Sequence, residues 1–177
     1  MMLPPTPVAA LVALAVLLLL LVELQLSLFN EKALRARGAV EPADDVIGWM
    51  RIAYPAVFVL MAAEAAVGGP LSRSWVVGGV LLLGWAKALK FWAMAHLGPR
   101  WTFRVLVPPG APPVTTGPYR LLRHPNYVAV IGEIIAVAIA LQAPLTGVLG
   151  IVGFGWLIRR RIVVEERALS GHTTIHP

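Results

Sequence analysis

Residues 8–29 read VAALVALAVLLLLLVELQLSLF and hold one charged residue, Glu23. A helix of that length, rising about 1.5 Å per residue, crosses a hydrocarbon layer of ~30 Å. No basic region precedes the run, it is longer than the ~7–15 apolar residues of a signal peptide, and no small-residue cleavage site follows Phe29. The segment is therefore expected to be a retained transmembrane helix, here placed at 7–29.

Four more apolar stretches follow, at 52–67, 75–95, 127–141 and 145–158. They are separated by Gly68-Gly69-Pro70, by a long polar loop, and by Gln142-Ala143-Pro144. The last two are short and predict a tight helical hairpin. The expected fold is all-α: one polytopic membrane domain over 1–177, about five transmembrane helices, with N-terminal helices in 1–70. Composition agrees, since 58% of residues are hydrophobic and 14% charged, where a soluble surface needs roughly a quarter charged. Mean hydropathy is +0.77. Cysteine is absent, which excludes thiolate nucleophiles, disulfides and cysteine zinc sites, and no metal is expected.

The net charge of +6 suggests membrane anchoring rather than nucleic acid once the basic residues are located. Lys32, Arg35, Arg37 and Arg51 occupy the first connection, Arg100, Arg104, Arg120 and Arg123 the third, and Arg159, Arg160, Arg161 and Arg167 the C-terminal stretch. Only Arg73 falls in the second connection and none in the fourth. Positive charge gathers on the cytosolic side, so the N-terminus is expected outside and the C-terminus in the cytosol, as an odd number of spans requires.

The loop from His96 to Tyr127, HLGPRWTFRVLVPPGAPPVTTGPYRLLRHPNY, far exceeds the ~2–8 residues that suffice to connect helices. Prolines stiffen its tip, and Thr115-Thr116-Gly117-Pro118 predicts a turn into a short interfacial helix over 119–123. After the last apolar stretch, Arg161 and Glu165 stand four residues apart on one helical face. Taken alone, the arginines are a membrane anchor. The paired carboxylates Glu165 and Glu166 are less easily explained beside an anionic lipid surface.

GPYRLLRHPNY from Gly117 to Tyr127, preceded by Leu97-Gly98 and Trp101-Thr102 and followed by a hydrophobic hairpin and Arg161-x-x-x-Glu165-Glu166, resembles the isoprenylcysteine carboxyl methyltransferase family. The resemblance covers about 90–169, as a core with a cytosolic cofactor loop over 96–127. It implies a methyltransferase using S-adenosyl-L-methionine, held between loop and hairpin by Leu97, Gly98, Gly117, Tyr119, Arg123, His124, Pro125, Tyr127, Glu165 and Glu166. Arg123 or His124 suits the cofactor's carboxylate, and Glu165 or Glu166 its ribose diol and ammonium. Tyr119, Tyr127, Trp101 and Leu97 suit its adenine. Pro125 holds the Arg123-His124 pair at a bend. Arg161 and Glu165 are the implied catalytic pair, Arg161 orienting an acidic acceptor and a glutamate fixing the cofactor or balancing Arg161.

The implied acceptor is a lipophilic small molecule entering sideways from the surrounding membrane lipids. The chain's short form suggests a bacterial inner-membrane enzyme acting on a lipid-like phenol, enol or carboxylic acid, such as an alkylpyrone or alkylresorcinol, rather than a prenylcysteine. Two other classes stay open, a sterol-type membrane reductase using NADPH and a non-catalytic membrane subunit. Oligomeric state is not readable. Within the predicted spans, Glu23, Glu64, Lys87, Lys90 and Glu133 each need a partner, water or an interface, and Glu133, six residues past Tyr127, stands where it could line the site or pair with Lys90. Gly147, Gly150, Gly153 and Gly155 suit close helix packing.

Overall fold

The computed structural model describes residues 1–42, 46–110 and 112–169. Five helices carry the fold: α1 (Pro5–Ala36), α2 (Ile47–Gly68), α3 (Arg73–Leu97), α4 (Pro125–Leu141) and α5 (Pro144–Leu169). Two 3-10 turns, Gly98–Arg100 and Gly117–Arg120, lie in the long loop. At the opposite end, β1 (Met2–Leu3) pairs antiparallel with β2 (Leu71–Ser72), Met2 facing Ser72. The chain is an all-α integral membrane protein; α1, α2 and α3 are each long and apolar enough to cross a bilayer, and α4 is a shorter apolar helix.

Hydropathy located the helices but not their ends. The first helix runs to Ala36 rather than Phe29, because the polar residues after the apolar run have protein partners. Ser27 donates to Glu31 Oε1 at 2.7 Å, and Asn30 Nδ2 donates to the Trp101 carbonyl at 2.8 Å. Ala9, Val12, Val16, Glu23, Ser27, Asn30 and Leu34 are all buried, a spacing of three and four that marks one helical face. The second helix likewise starts at Ile47, five residues before the apolar stretch, and keeps Pro55 inside it.

The predicted hairpin forms as expected at Gln142, which takes a left-handed conformation at φ 50° to close α4. Its partner α5 begins at Pro144, where Glu64 of α2 accepts from the backbone N–H of Leu145 at 3.0 Å and of Thr146 at 2.7 Å. A carboxylate over unpaired amides at a helix N-terminus is stabilised by their partial positive charge, which accounts for an acidic residue near the end of α2. The core runs through Val16, Phe58, Met61, Ile134, Val137 and Leu141, each almost wholly buried, while Leu11, Trp85 and Val152 face outward. Gly79 and Gly150 let helices approach, since a Cβ at Gly79 would strike the α4 backbone and one at Gly150 would lie 2.8 Å from Val57. Among the described residues, a Cβ at Gly153 or Gly155 would meet nothing within 4 Å.

Candidate active site

Beyond α3 the chain must turn sharply, and Gly98 does so at φ 54°. The loop then folds back over α1 and α2. The Phe103 N–H donates to Ser27 Oγ at 2.7 Å, and Val40 and Val107 exchange backbone hydrogen bonds at 3.1 and 3.0 Å. Arg104 pairs with Glu31 at 3.4 Å and with Glu41, which also binds Arg35. Burial works to raise the Glu41 carboxyl, but the hydrogen bonds from Arg104 and Arg35 outweigh it and hold the group below its ordinary range.

The predicted helix over 119–123 is a 3-10 turn over Gly117–Arg120 instead. Pro118 starts it and accepts from the Leu122 N–H at 2.9 Å, after which the chain unwinds. The reason lies downstream. Pro125 disfavours helical backbone at His124, and His124 sits at φ −132°, ψ 64° while Pro125 opens α4. Gly117 is needed where it stands, because at φ 57° it packs against the His96 imidazole and a Cβ there would collide with the ring.

Loop and helix ends enclose a cavity of about 630 Å³. On one wall the Tyr127 hydroxyl donates to Glu165 Oε2 at 2.8 Å, and the His124 ring stacks on Tyr127 with centroids 5.6 Å apart. Nδ1 of His124 lies 4.0 Å from the same carboxylate oxygen. Arg161, 5% exposed, donates to the Phe103 carbonyl and lies 3.7 Å from the Met50 sulfur. Tyr119 completes this end; burial and the nearby Glu165 push its hydroxyl far above the usual tyrosine value, so it stays a proton donor.

Leu97, Tyr119, Arg123, His124, Pro125, Tyr127, Arg161 and Glu165 thus line one cavity, with Trp101 beside them. Gly98, Gly117 and Glu166 do not line it. The two glycines shape the loop, and Glu166 lies on the outer side of His124, 3.4 Å from Nε2. Absent from the expected set is the opposite wall, formed by Leu17, Leu20, Leu21 and Leu24 of α1 and Ile47, Met50 and Tyr54 of α2. A signal for it existed in Ser27, Asn30 and Glu31. Polar residues three and four apart, just beyond a membrane span, mark a face that docks protein.

The isoprenylcysteine carboxyl methyltransferase (ICMT) family model matches residues 79–171. The uncharacterized protein YpbQ of Bacillus subtilis is 29% identical over 144 residues, 81% of this chain and 86% of its own length. An uncharacterized protein of Haemophilus influenzae is 28% identical over 148 residues, covering 83% and 86% respectively. No solved structure matches. The family match begins inside α3 and continues through the loop and both helices of the hairpin, and the chain belongs to the isoprenylcysteine carboxyl methyltransferase family of integral membrane methyltransferases.

Proposed function

We propose that the protein is an S-adenosyl-L-methionine-dependent O-methyltransferase whose acceptor is a lipophilic acid dissolved in the membrane. One observation carries this reading: the cavity is polar at its loop end, where Glu165, Tyr127, His124 and Arg161 converge, and mainly apolar along α1 and α2, with Arg51 and Tyr54 the polar exceptions. The donor set suits the cofactor. Arg123 and His124 can hold its carboxylate, Glu165 can accept from its ammonium or ribose hydroxyls, and Tyr119, Leu97 and Trp101 offer a slot for adenine. When bound, it supplies an electrophilic methyl group on a sulfonium.

The chain's own work is orientation and exclusion of water. Arg161 is anchored by the Phe103 carbonyl, so its planar guanidinium can present a fixed edge to a carboxylate, phenolate or enolate. Tyr127 keeps Glu165 directed into the cavity. Positioning of this kind lowers barriers by up to ~7–11 kcal/mol. Attack by an anion on a cation also neutralises charge, a step favoured in the dry space that the leucine wall provides. No acid–base residue is required if the acceptor arrives ionised. The acceptor is expected to enter laterally from the lipid, in an inner membrane with the loop on the cytosolic side.

The test is thermal unfolding in lipid nanodiscs with S-adenosylhomocysteine, the cofactor's demethylated product, or with NADPH. A ligand at ~100 times its Kd adds about 2.7 kcal/mol. Stabilisation by S-adenosylhomocysteine alone is expected; stabilisation by NADPH alone would replace this reading with a reductase.

A further inference from the structure

Four ionisable side chains below the loop form a ring that the methyl-transfer site does not use. Glu23 of α1 and Glu133 of α4 are 1% and 0% exposed, and Lys87 and Lys90 of α3 are 6% and 2% exposed. Each lysine touches both glutamates. Lys87 Nζ lies 2.6 Å from Glu23 Oε1 and 2.9 Å from Glu133 Oε2, and Lys90 Nζ lies 2.8 Å from Glu23 Oε2 and 3.0 Å from Glu133 Oε1. Helix α2 joins through Tyr54, whose hydroxyl donates to Glu133 Oε2 at 2.6 Å while the Lys90 ammonium sits 5.5 Å over its ring.

Stability does not account for such a ring. Charges at this depth are costly, and well-packed apolar residues would hold the helices at least as firmly. What alternating charges add is a single allowed geometry. Helix α1 packs mainly on α2, with lighter contact to α4 and to the turn after α3, and Ser27, Asn30 and Glu31 tie only its upper end to the loop, so within the span Glu23 is its ionic link to α3 and α4. Leu17, Leu20, Leu21 and Leu24 line the cavity and lie round the helix from Glu23 by roughly 60–160° at 100° per residue. A rotation of α1 released from Glu23 would swing this leucine wall. Tyr54 and Lys90 also line the cavity, so the ring borders the space whose width it sets.

We propose that the Glu23–Lys87–Glu133–Lys90 ring is a specificity-determining device that fixes the rotation of α1, and with it the bore of the acceptor's tail groove between α1 and α2. The acceptor class follows from volume. A cavity of about 630 Å³ is mid-range for one drug-sized ligand, so beside a nucleoside cofactor it holds one acyl chain and not the paired chains of a phospholipid. The acceptor is then a single-chain amphiphile with an acidic head. This inference rests on the function proposed above.

The chain has no cysteine, so spin labels can be placed through Val22→Cys and Trp85→Cys, at positions 65% and 77% exposed on α1 and α3. The α1–α3 distance distribution is measured in nanodiscs for the parent, for Glu23→Gln, and for Glu23→Leu with Lys87→Met, which leaves the neutral Glu133–Lys90 pair and guards against mere unfolding. Both variants are expected to broaden the distribution; equal widths in all three overturn the proposal. In parallel, transfer of radiolabelled methyl groups is followed with unbranched fatty acids from decanoic to stearic acid and with chain-branched acids of equal carbon number. The parent should prefer unbranched chains, and the variants should lose about tenfold of that preference, the scale of effect that a misfitted methylene has in an apolar pocket. An unchanged preference despite a broadened distance removes the ring from specificity. If the parent binds S-adenosylhomocysteine yet methylates no fatty acid, a carboxylic head is wrong, and the distance measurement still decides whether the ring fixes α1.

Discussion

The two halves of the chain meet at one cavity but bring different things to it. From α1 and α2 come mostly leucine, isoleucine and methionine side chains, with Arg51 and Tyr54 among them, and Ser27, Asn30 and Glu31 reach up to fasten the loop. From the loop, α4 and α5 come His124, Tyr127, Arg161 and Glu165, within hydrogen-bonding or stacking range of one another or of the loop backbone. The family model begins only at residue 79. On the function proposed above, the chemistry and the fit of the acceptor would be carried by separate helices, and the halves should fail differently when mutated.

The largest expected effect tests the chemical half. Arg161→Ala should reduce methyl transfer by a factor of about 10² or more, since a lost charged contact costs roughly 3 kcal/mol, with little change in S-adenosylhomocysteine affinity. Arg161→Lys should recover only part of the rate, because the ammonium keeps the charge and loses the planar edge. Full activity in both, with radiolabelled donor in native membranes, would reduce Arg161 to a membrane anchor.

Next comes the boundary between cofactor and acceptor. His124→Ala should weaken S-adenosylhomocysteine binding about tenfold, equivalent to ~1.4 kcal/mol, and leave the melting temperature of the ligand-free protein within a degree or two. Unchanged affinity by calorimetry would remove the histidine from the cofactor site.

Asn30→Ala probes the other half. Losing a buried hydrogen bond to the Trp101 carbonyl should cost about 1 kcal/mol of stability and alter the maximal rate by less than threefold. A hundredfold loss of rate would mean that the wall takes part in the chemistry, and the contrast between the halves would collapse.

The smallest effect is one of pH at the tie between them. Because Arg104 and Arg35 hold the Glu41 carboxyl below its ordinary value, its contribution is present above the unfolded value and lost as pH falls through the folded one. The melting-temperature gap between the parent and Glu41→Gln should therefore be steady near neutrality and close below the ordinary carboxylate range. A gap independent of pH would show that the ion pairs contribute nothing.

Much of this was legible in the sequence. Apolar runs locate helices because lipid rewards uninterrupted hydrophobicity, and the hairpin at Gln142-Ala143-Pro144 was readable from its breakers. The stretches that meet at the cavity, GPYRLLRHPNY and Arg161 to Glu166, stood out through their resemblance to a family pattern, since taken alone the loop and the arginines read as interface anchors. Less visible was anything that depends on which faces meet. The overshoot of α1 to Ala36 was hidden because hydropathy falls at Asn30 while the helix, held by the loop, continues. Glu23, Lys87, Lys90 and Glu133 each announced a need for a partner, but helical spacing relates only Lys87 to Lys90. The closing of all four into a ring is a fact of tertiary packing.

The position of Arg161 and Glu165 on α5 has a consequence for how the protein is made. During synthesis α1 to α4 emerge first, and they bring the leucine wall, Tyr54 and the loop with His124 to the membrane before either residue has left the ribosome. On the function proposed above, a nascent chain at that stage has the apolar wall but lacks the guanidinium that would orient the acceptor. The Phe103 carbonyl receives Arg161 only when α5 arrives, so insertion of the last helix both ties down the loop and completes the cavity wall that carries Arg161 and Glu165. On the same reading, chains cut short by a premature stop or by proteolysis before Arg161 should bind a lipophilic acceptor without methylating it.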